Sequence, residues 1–292
     1  MDYMRAADFA EIADRVWVAR HEWFDINVTA IAGEAGLVVI DTLASERAAR
    51  AAIESLARVS SLPVVAVVNT HEHFDHVLGN RTFREFWPAA RLVAHATAAE
   101  RTCTSVTEAK RNYSDSPEAP GRDEVLATEP LAADSRFVAA HVVDLGDRSV
   151  EIIHPGLGHT AGDAVIVVPD VGVVVAGDLI EQSDEREDTP GFGLESHPLE
   201  WPGTLDFVLQ LIGEDTVVVP GHGGRVDRDF VISQRDRLGV LAQTVIDLAA
   251  AGSGLRAILD HKDWPFPRRY LESGIRAAYA QLPANAKRLP LV

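Results

Sequence analysis

Short apolar runs separated by polar breaks fill the first quarter of the chain. "RVWVARHEWF", "INVTAIAG" and "GLVVIDT" read as strands, residues 45–59 as a helix, and "VVAVVNT" as a further strand. Ala48, Ala52, Ile53 and Leu56 recur at helical spacing, and Ser45 stands just ahead of them as a plausible N-cap. "RLVAHA" then reads as a strand and 97–112 as a helix, while "YSDSPEAPGRDE" (113–124), with two prolines and a glycine, reads as a surface loop. The second half repeats the rhythm. "RFVAAHVVDLG" and "SVEIIHP" are strand-like, and "DAVIVVPDVGVVVAGD" is an apolar hairpin turning at Pro169, Asp170, Val171 and Gly172. A loop over 180–199, a helix near 199–212, the strand "TVVVPG" and a largely helical C-terminal third complete the chain. Strands, helix, strands, helix twice over predicts an α/β (α+β) fold: a four-layer αβ/βα sandwich of two mixed β-sheets flanked by helices. Such a sandwich forms a single domain over 1–292, with its core motifs at about 16–226 and a helical extension at about 227–292. No short-period repeat is present, which excludes a solenoid.

Four of the apolar runs end in residue types that ligate metals. They are "NTHEHFDH" (His71, His73, Asp75, His76), "GLGHTAGD" (His159), "VVVAGDL" (Asp178) and "VVVPGHGG" (His222). Imidazoles and carboxylates directly after buried strands suit a core poorly and a metal well. Strand ends that are distant in sequence can converge on one rim of a sandwich, and the glycines beside His159, Asp178 and His222 fit the tight turns such a rim needs.

Composition narrows the function classes. The net charge of -17 would repel a phosphate backbone or an anionic bilayer, so nucleic acid and membrane are poor partners and a small-molecule substrate is expected. The single cysteine, Cys103, excludes a disulfide framework and a thiolate-rich zinc site, and reads as a buried helix residue. The first residues, "MDYMRAADFAEIADRVWVAR", hold no apolar stretch suited to a signal peptide, so the expected location is cytoplasmic.

The motif set resembles the metallo-β-lactamase superfamily, whose signature is H-x-H-x-D-H followed by a His, a bridging Asp and a final His, each at its own strand end. The resemblance runs from "INVTAIAGEAGLVVIDT" to "VVVPGHGG". It implies that His71, His73 and His159 hold one metal, that Asp75, His76 and His222 hold a second, and that Asp178 bridges them. Two zinc ions suit these donors, and iron or manganese accept the same set. A bridging hydroxide would then attack a carbonyl ester, thioester, lactone or lactam, with Asp75 orienting it. The family's early aspartate matches Asp41. Asp41 and Asp163 read as carboxylates that hold ligand loops by hydrogen bonds. His95, His141, His154 and His261 read as ordinary structural or surface histidines.

Within the superfamily, an aspartate at Asp178 looks more like the glyoxalase II, lactonase and thioesterase members than the lactamases that place cysteine there. β-Lactam hydrolysis is one alternative, and a mononuclear-iron, persulfide dioxygenase-like oxidoreductase is another, from a different class. Substrate choice is expected from two loops. The hairpin "HEWFDIN" carries His21, Trp23 and Phe24 as an aromatic flap, and the acidic 180–199 segment, with Glu195 and His197, is long enough for a lid. In the C-terminal helices, Leu238, Leu241, Val245 and Leu248 fit core packing or a homodimer contact.

Overall fold

The computed structural model describes residues 7–283, so the outer ends of the expected 1–292 domain and of its expected 227–292 extension lie outside the described residues. The first half of the chain builds β1 (Ala10–Ala13), β2 (Val16–His21), β3 (Ile26–Gly33), β4 (Gly36–Ile40), α1 (Glu46–Leu56), β5 (Val64–Val68), α2 (Phe74–Val77), α3 (Asn80–Phe86), β6 (Arg91–His95), α4 (Ala96–Ser114), α5 (Arg122–Ala127) and β7 (Ser135–Phe137). The second half adds β8 (Ala140–Asp144), β9 (Ser149–Ile153), β10 (Val165–Val168), β11 (Val173–Glu181), α6 (Trp201–Leu211), β12 (Val217–His222), α7 (Arg228–Ala250), α8 (Leu255–Leu259) and α9 (Glu272–Gln281).

The strands follow one hydrogen-bonded order, β7-β6-β5-β4-β3-β12-β11-β10-β9-β8, with β2 pairing β3 and β1 pairing β2. Parallel pairs (β4 with β5, β5 with β6, β6 with β7, β11 with β12) sit among antiparallel ones, so the sheet is mixed. It behaves as two sheets, because β3 and β12 share a single registered pair, Ile26 with His222. Side-chain alternation then sorts the core into layers. Along β4, Val38 and Ile40 turn inward to meet Ile166, Val168 and Val175 of the opposite sheet, while Leu37 and Val39 turn outward beneath the helices. Ala49, Ala52 and Ile53 of α1 cover that outer face. Leu205 and Val208 of α6, with Leu238, Leu241 and Val245 of α7, cover the corresponding face of the second sheet, over Val165, Val174 and Val218. This is the expected helix-sheet-sheet-helix sandwich, and the apolar stripe of α7 serves its core.

Local signals held where they were strongest. The Ser45 side chain accepts from Ala48 N at 3.1 Å and starts α1 one residue later. Three expectations change. "RFVAAHVVDLG" is two strands at opposite ends of the order: β7 pairs with β6 and β8 with β9, and the exposed Val138 lies where the chain passes between them. An unbroken apolar run carries no signal of such a transfer. The 113–124 loop is shorter than read, since α4 runs to Ser114 and α5 begins at Arg122. Cys103 is exposed, because the buried stripe of α4 is Ala98, Ala99, Thr102 and Val106, one position away. Among the described residues no helix is long and apolar enough to cross a membrane.

Candidate metal centre

The seam between the two sheets carries the chemistry. β5 ends at Val68, and His71 and His73 follow on the turn that leads into α2, whose first residues include Asp75 and His76. His159 lies in the loop between β9 and β10, and His222 is the last residue of β12. Asp178 lies inside β11 rather than after it, at an irregularity in the β11–β12 register. Two glycines make the approach feasible. Gly177 has φ +54°, and a side chain at Gly221 would run into the Asp178 carboxylate.

These residues form two donor groups, His71, His73, His159 and Asp178 in one and Asp75, His76 and His222 in the other, with the ligand atoms of each group within 4.8 Å of one another. Asp178 touches both. Its Oδ2 is 3.6 Å from His71 Nε2, 3.5 Å from His159 Nε2 and 3.2 Å from His222 Nε2, while its Oδ1 is 3.2 Å from His76 Nε2. Asp75 Oδ2 is 3.5 Å from His222 Nε2. Every sequence-predicted ligand therefore reaches the cluster.

The second ring nitrogens decide how the imidazoles present themselves. His76 Nδ1 donates to Asp41 Oδ2 at 2.8 Å, His222 Nδ1 to the Phe24 carbonyl at 2.7 Å, His159 Nδ1 to the Gly191 carbonyl at 3.0 Å and His73 Nε2 to Glu195 Oε1 at 2.9 Å. His71 Nδ1 faces Thr70 Oγ1 at 3.0 Å, and that hydroxyl is itself turned to Asp41. Carbonyl and carboxylate oxygens only accept, so the proton of each of those four rings sits on its outer nitrogen, and a lone pair points into the cluster. Inside it, His73 Nδ1 meets His159 Nε2 at 2.8 Å and His76 Nε2 meets His222 Nε2 at 3.3 Å. His71 Nε2 and Asp178 Oδ1 are buried without a hydrogen bond. Facing lone pairs and orphaned buried polar atoms cost free energy unless a cation lies between them, so the donor set fits metal ions.

Electrostatics agree. Burial pushes His71 well below the usual imidazole range and His159 down to about 4. Burial acts the same way on His222, but the Asp178 carboxylate outweighs it and raises that ring to about 10. Asp178, despite its burial, is held well below the carboxylate range by His222, His76 and His71.

The remaining predicted residues divide. Asp41 takes Thr70 N at 2.9 Å and Thr70 Oγ1 at 2.8 Å, next to His71, and Asp163 takes Thr160 N and Thr160 Oγ1 beside His159. Burial raises Asp163 to about 8. Phe24 overhangs the cluster and lines a cavity of about 240 Å³ with Asp75, Asp178, His222, Glu181 and Arg186. His21 and Trp23 do not reach that cavity: both are buried and line a small inner pocket with Leu43 and Ala48. Phe24, on the turn after β2, spans the two: it stacks on Trp23 with ring centroids 5.1 Å apart and lines both the inner pocket and the cavity. Glu195 is engaged with His73, and His197 acts through its main chain, N–H to the Gly158 carbonyl at 2.7 Å. Two residues escaped the sequence reading. Thr70 sits between Asp41 and His71, and Glu181 is buried at the cavity, where burial and then the Asp178 charge raise it to about 7. Glu181 stands three positions beyond Asp178 on the same strand end, the one sequence signal available.

Fold and donor groups together define a metal-binding α/β sandwich protein. The family model of the Metallo-beta-lactamase superfamily matches residues 21–222, and the chain belongs to that superfamily. It is 27% identical over 203 residues to metallo-beta-lactamase type 2 of Bacillus cereus, covering 70% of this chain and 69% of that protein. It is 26% identical to the (R)-specific secondary-alkylsulfatase of Pseudomonas sp. over 91% of this chain and 48% of that protein. Among solved structures, the stereoselective inverting sec-alkylsulfatase of Pseudomonas sp. superposes with TM-score 0.75 at 20% identity, over 94% of this chain and 50% of that one. The metallo-beta-lactamase of Pontibacter korlensis gives TM-score 0.60 at 19% identity, over 80% and 99%. The chain thus spans about half the length of its alkylsulfatase relatives.

Proposed function

We propose that the protein is a metal-dependent hydrolase that holds two cations, zinc in the first instance, and cleaves a carbonyl ester, thioester, lactone or lactam of a small molecule. One observation carries the reading. Five histidines, each with its outer nitrogen occupied, aim their inner nitrogens at two adjoining donor groups that share Asp178. Cations bound there would supply Lewis acidity and bring the pKa of a water to about 7.

The chain's own residues do the rest. Asp178 keeps His76 and His222 of one group and His71 and His159 of the other within 3.6 Å of a single carboxylate. Asp75 lines the cavity, where it would orient the attacking water by hydrogen bonding and accept its proton. Phe24 and Arg186 wall the cavity, so the group being cleaved lies against an aromatic face and a guanidinium. At about 240 Å³ the cavity suits the reacting part of a small molecule rather than a polymer.

β-Lactam hydrolysis is the second reading, supported by the Bacillus cereus relative. Two separate donor groups favour paired cations over the mononuclear-iron alternative. The alkylsulfatase match, which takes in the C-terminal helices, argues for including secondary alkyl sulfates in any substrate panel. The test is metal analysis coupled to that panel of thioesters, lactones, aryl esters, β-lactams and alkyl sulfates, before and after chelation. About two zinc per chain and a chelator-sensitive hydrolysis are expected. Hydrolysis that survives complete removal of metal would sink the reading.

A further inference from the structure

The two donor groups draw their outer support from different parts of the chain. His71 and His76 are held by Thr70 and Asp41, beneath the β4 and β5 ends, and His222 by the Phe24 carbonyl of the N-terminal hairpin. His73 and His159, both in the first group, are held instead by one short segment of the loop between β11 and α6: Glu195 takes His73 Nε2 at 2.9 Å and the Gly191 carbonyl takes His159 Nδ1 at 3.0 Å.

That segment is clamped by the C-terminal extension. Gln281 Nε2 of α9 donates to the Ser196 carbonyl at 2.7 Å, and Ser196 Oγ accepts from Gly193 N at 2.9 Å. The Phe192 ring lies where a side chain at Gly274 would have to go, and meets Phe266 at 6.5 Å and Trp201 at 5.5 Å. Upstream in the same loop, Tyr270 Oη donates to the Glu185 carbonyl at 3.2 Å and Arg237 Nη2 to the Glu187 carbonyl at 3.0 Å. A loop tied down at four points from one side is a wall, not a swinging lid.

We infer that the Gly191–Glu195 segment, braced by the helical extension, sets the metal affinity of the His71, His73 and His159 group alone, with Glu195 as its positioning residue. The inference rests on the reading that the two donor groups each take a cation. The physical reason is that His73 can offer Nδ1 inward only as the tautomer protonated at Nε2, and Glu195 selects that tautomer and fixes the ring plane. Removing the carboxylate frees the ring to rotate without touching the Asp75, His76 and His222 group.

The test is competitive zinc titration of the full-length, metal-stripped protein against a chromophoric chelator, with the d–d spectrum of cobalt-loaded samples as a second readout. Glu195→Leu should weaken one equivalent by about 10–100-fold and leave the other at its wild-type affinity. Glu195→Gln, which keeps an acceptor oxygen for the Nε2 proton, should recover most of that loss, and Gln281→Ala should weaken the same equivalent by less. The cobalt spectrum should change for that site only. Wild-type affinities in Glu195→Leu, equal weakening of both equivalents, or no recovery in Glu195→Gln would each overturn the inference. A wild type that takes up only one equivalent overturns the paired-cation reading instead, and the Glu195 variants then report on that one ion.

Discussion

Asp41 Oδ2 lies 2.8 Å from His76 Nδ1, and the same carboxylate takes both Thr70 N and Thr70 Oγ1, the hydroxyl that faces His71 Nδ1. One buried aspartate therefore orients a histidine of each donor group. It does so on a left-handed backbone, φ +63°, which aspartate and asparagine tolerate better than most residues. Asp41→Asn keeps that backbone but sets an amide donor against one of these N–H or O–H donors. Zinc affinity should fall by about 10–100-fold at both sites, with a loss of roughly 3 kcal/mol in stability from the damaged charge-assisted bonds. Zinc titration and urea denaturation check the two effects separately; unchanged affinity would remove Asp41 from the site.

Asp178→Ala should abolish metal binding and hydrolysis together, because its two oxygens are shared by His76, His222, His159 and His71. Chelation of the wild type should reproduce the loss, and zinc should restore the wild type but not the variant. Residual hydrolysis in a metal-free Asp178→Ala sample would show that the nucleophile arises elsewhere.

Gly221→Ala drives a methyl group into the Asp178 carboxylate while leaving the outer layers of the sandwich untouched. The overpacking should cost about 1–3 kcal/mol and displace Asp178 from the histidines. The variant should unfold cooperatively with reduced zinc stoichiometry. Full zinc content and wild-type kcat/KM would mean that β12 shifts freely, contrary to its buried packing.

His21 gives a pH dependence that is independent of the metal. It is buried with Nε2 unpartnered, and burial lowers its pKa to about 4. The unfolded chain takes up this proton near pH 6.5, the folded chain only near 4. Stability from the neutral buried ring is therefore complete above pH 6.5 and lost as pH falls from 6.5 towards 4, by at most about 3 kcal/mol. His21→Phe should flatten this acid limb in denaturation curves taken at pH 7, 5.5 and 4.5. An unchanged slope would show that His21 charges in the folded state near its ordinary pKa.

By itself the sequence determined what local chemistry can encode. Alternating apolar runs specified most strands, Ser45 marked the start of α1, and strand ends closing in His71, His73, Asp75, His76, His159, Asp178 and His222 announced the donor set. These signals are short-range: a period of two, a cap three residues from its N–H, a ligand directly after a strand. The tertiary structure decided everything that depends on partners distant in the chain. It split one apolar run between the two ends of the sheet, turned Cys103 to solvent, and set Asp178 between the two donor groups at a seam where Ile26 pairs with His222. It also converted Glu195 from an expected substrate contact into the acceptor for His73 across 122 residues, and buried His21 and Trp23 while leaving Phe24 over the cluster. The physical reason is that a side chain's residue type is local, whereas the nitrogen it presents, the charge it carries and the side it faces are set by whatever packs against it.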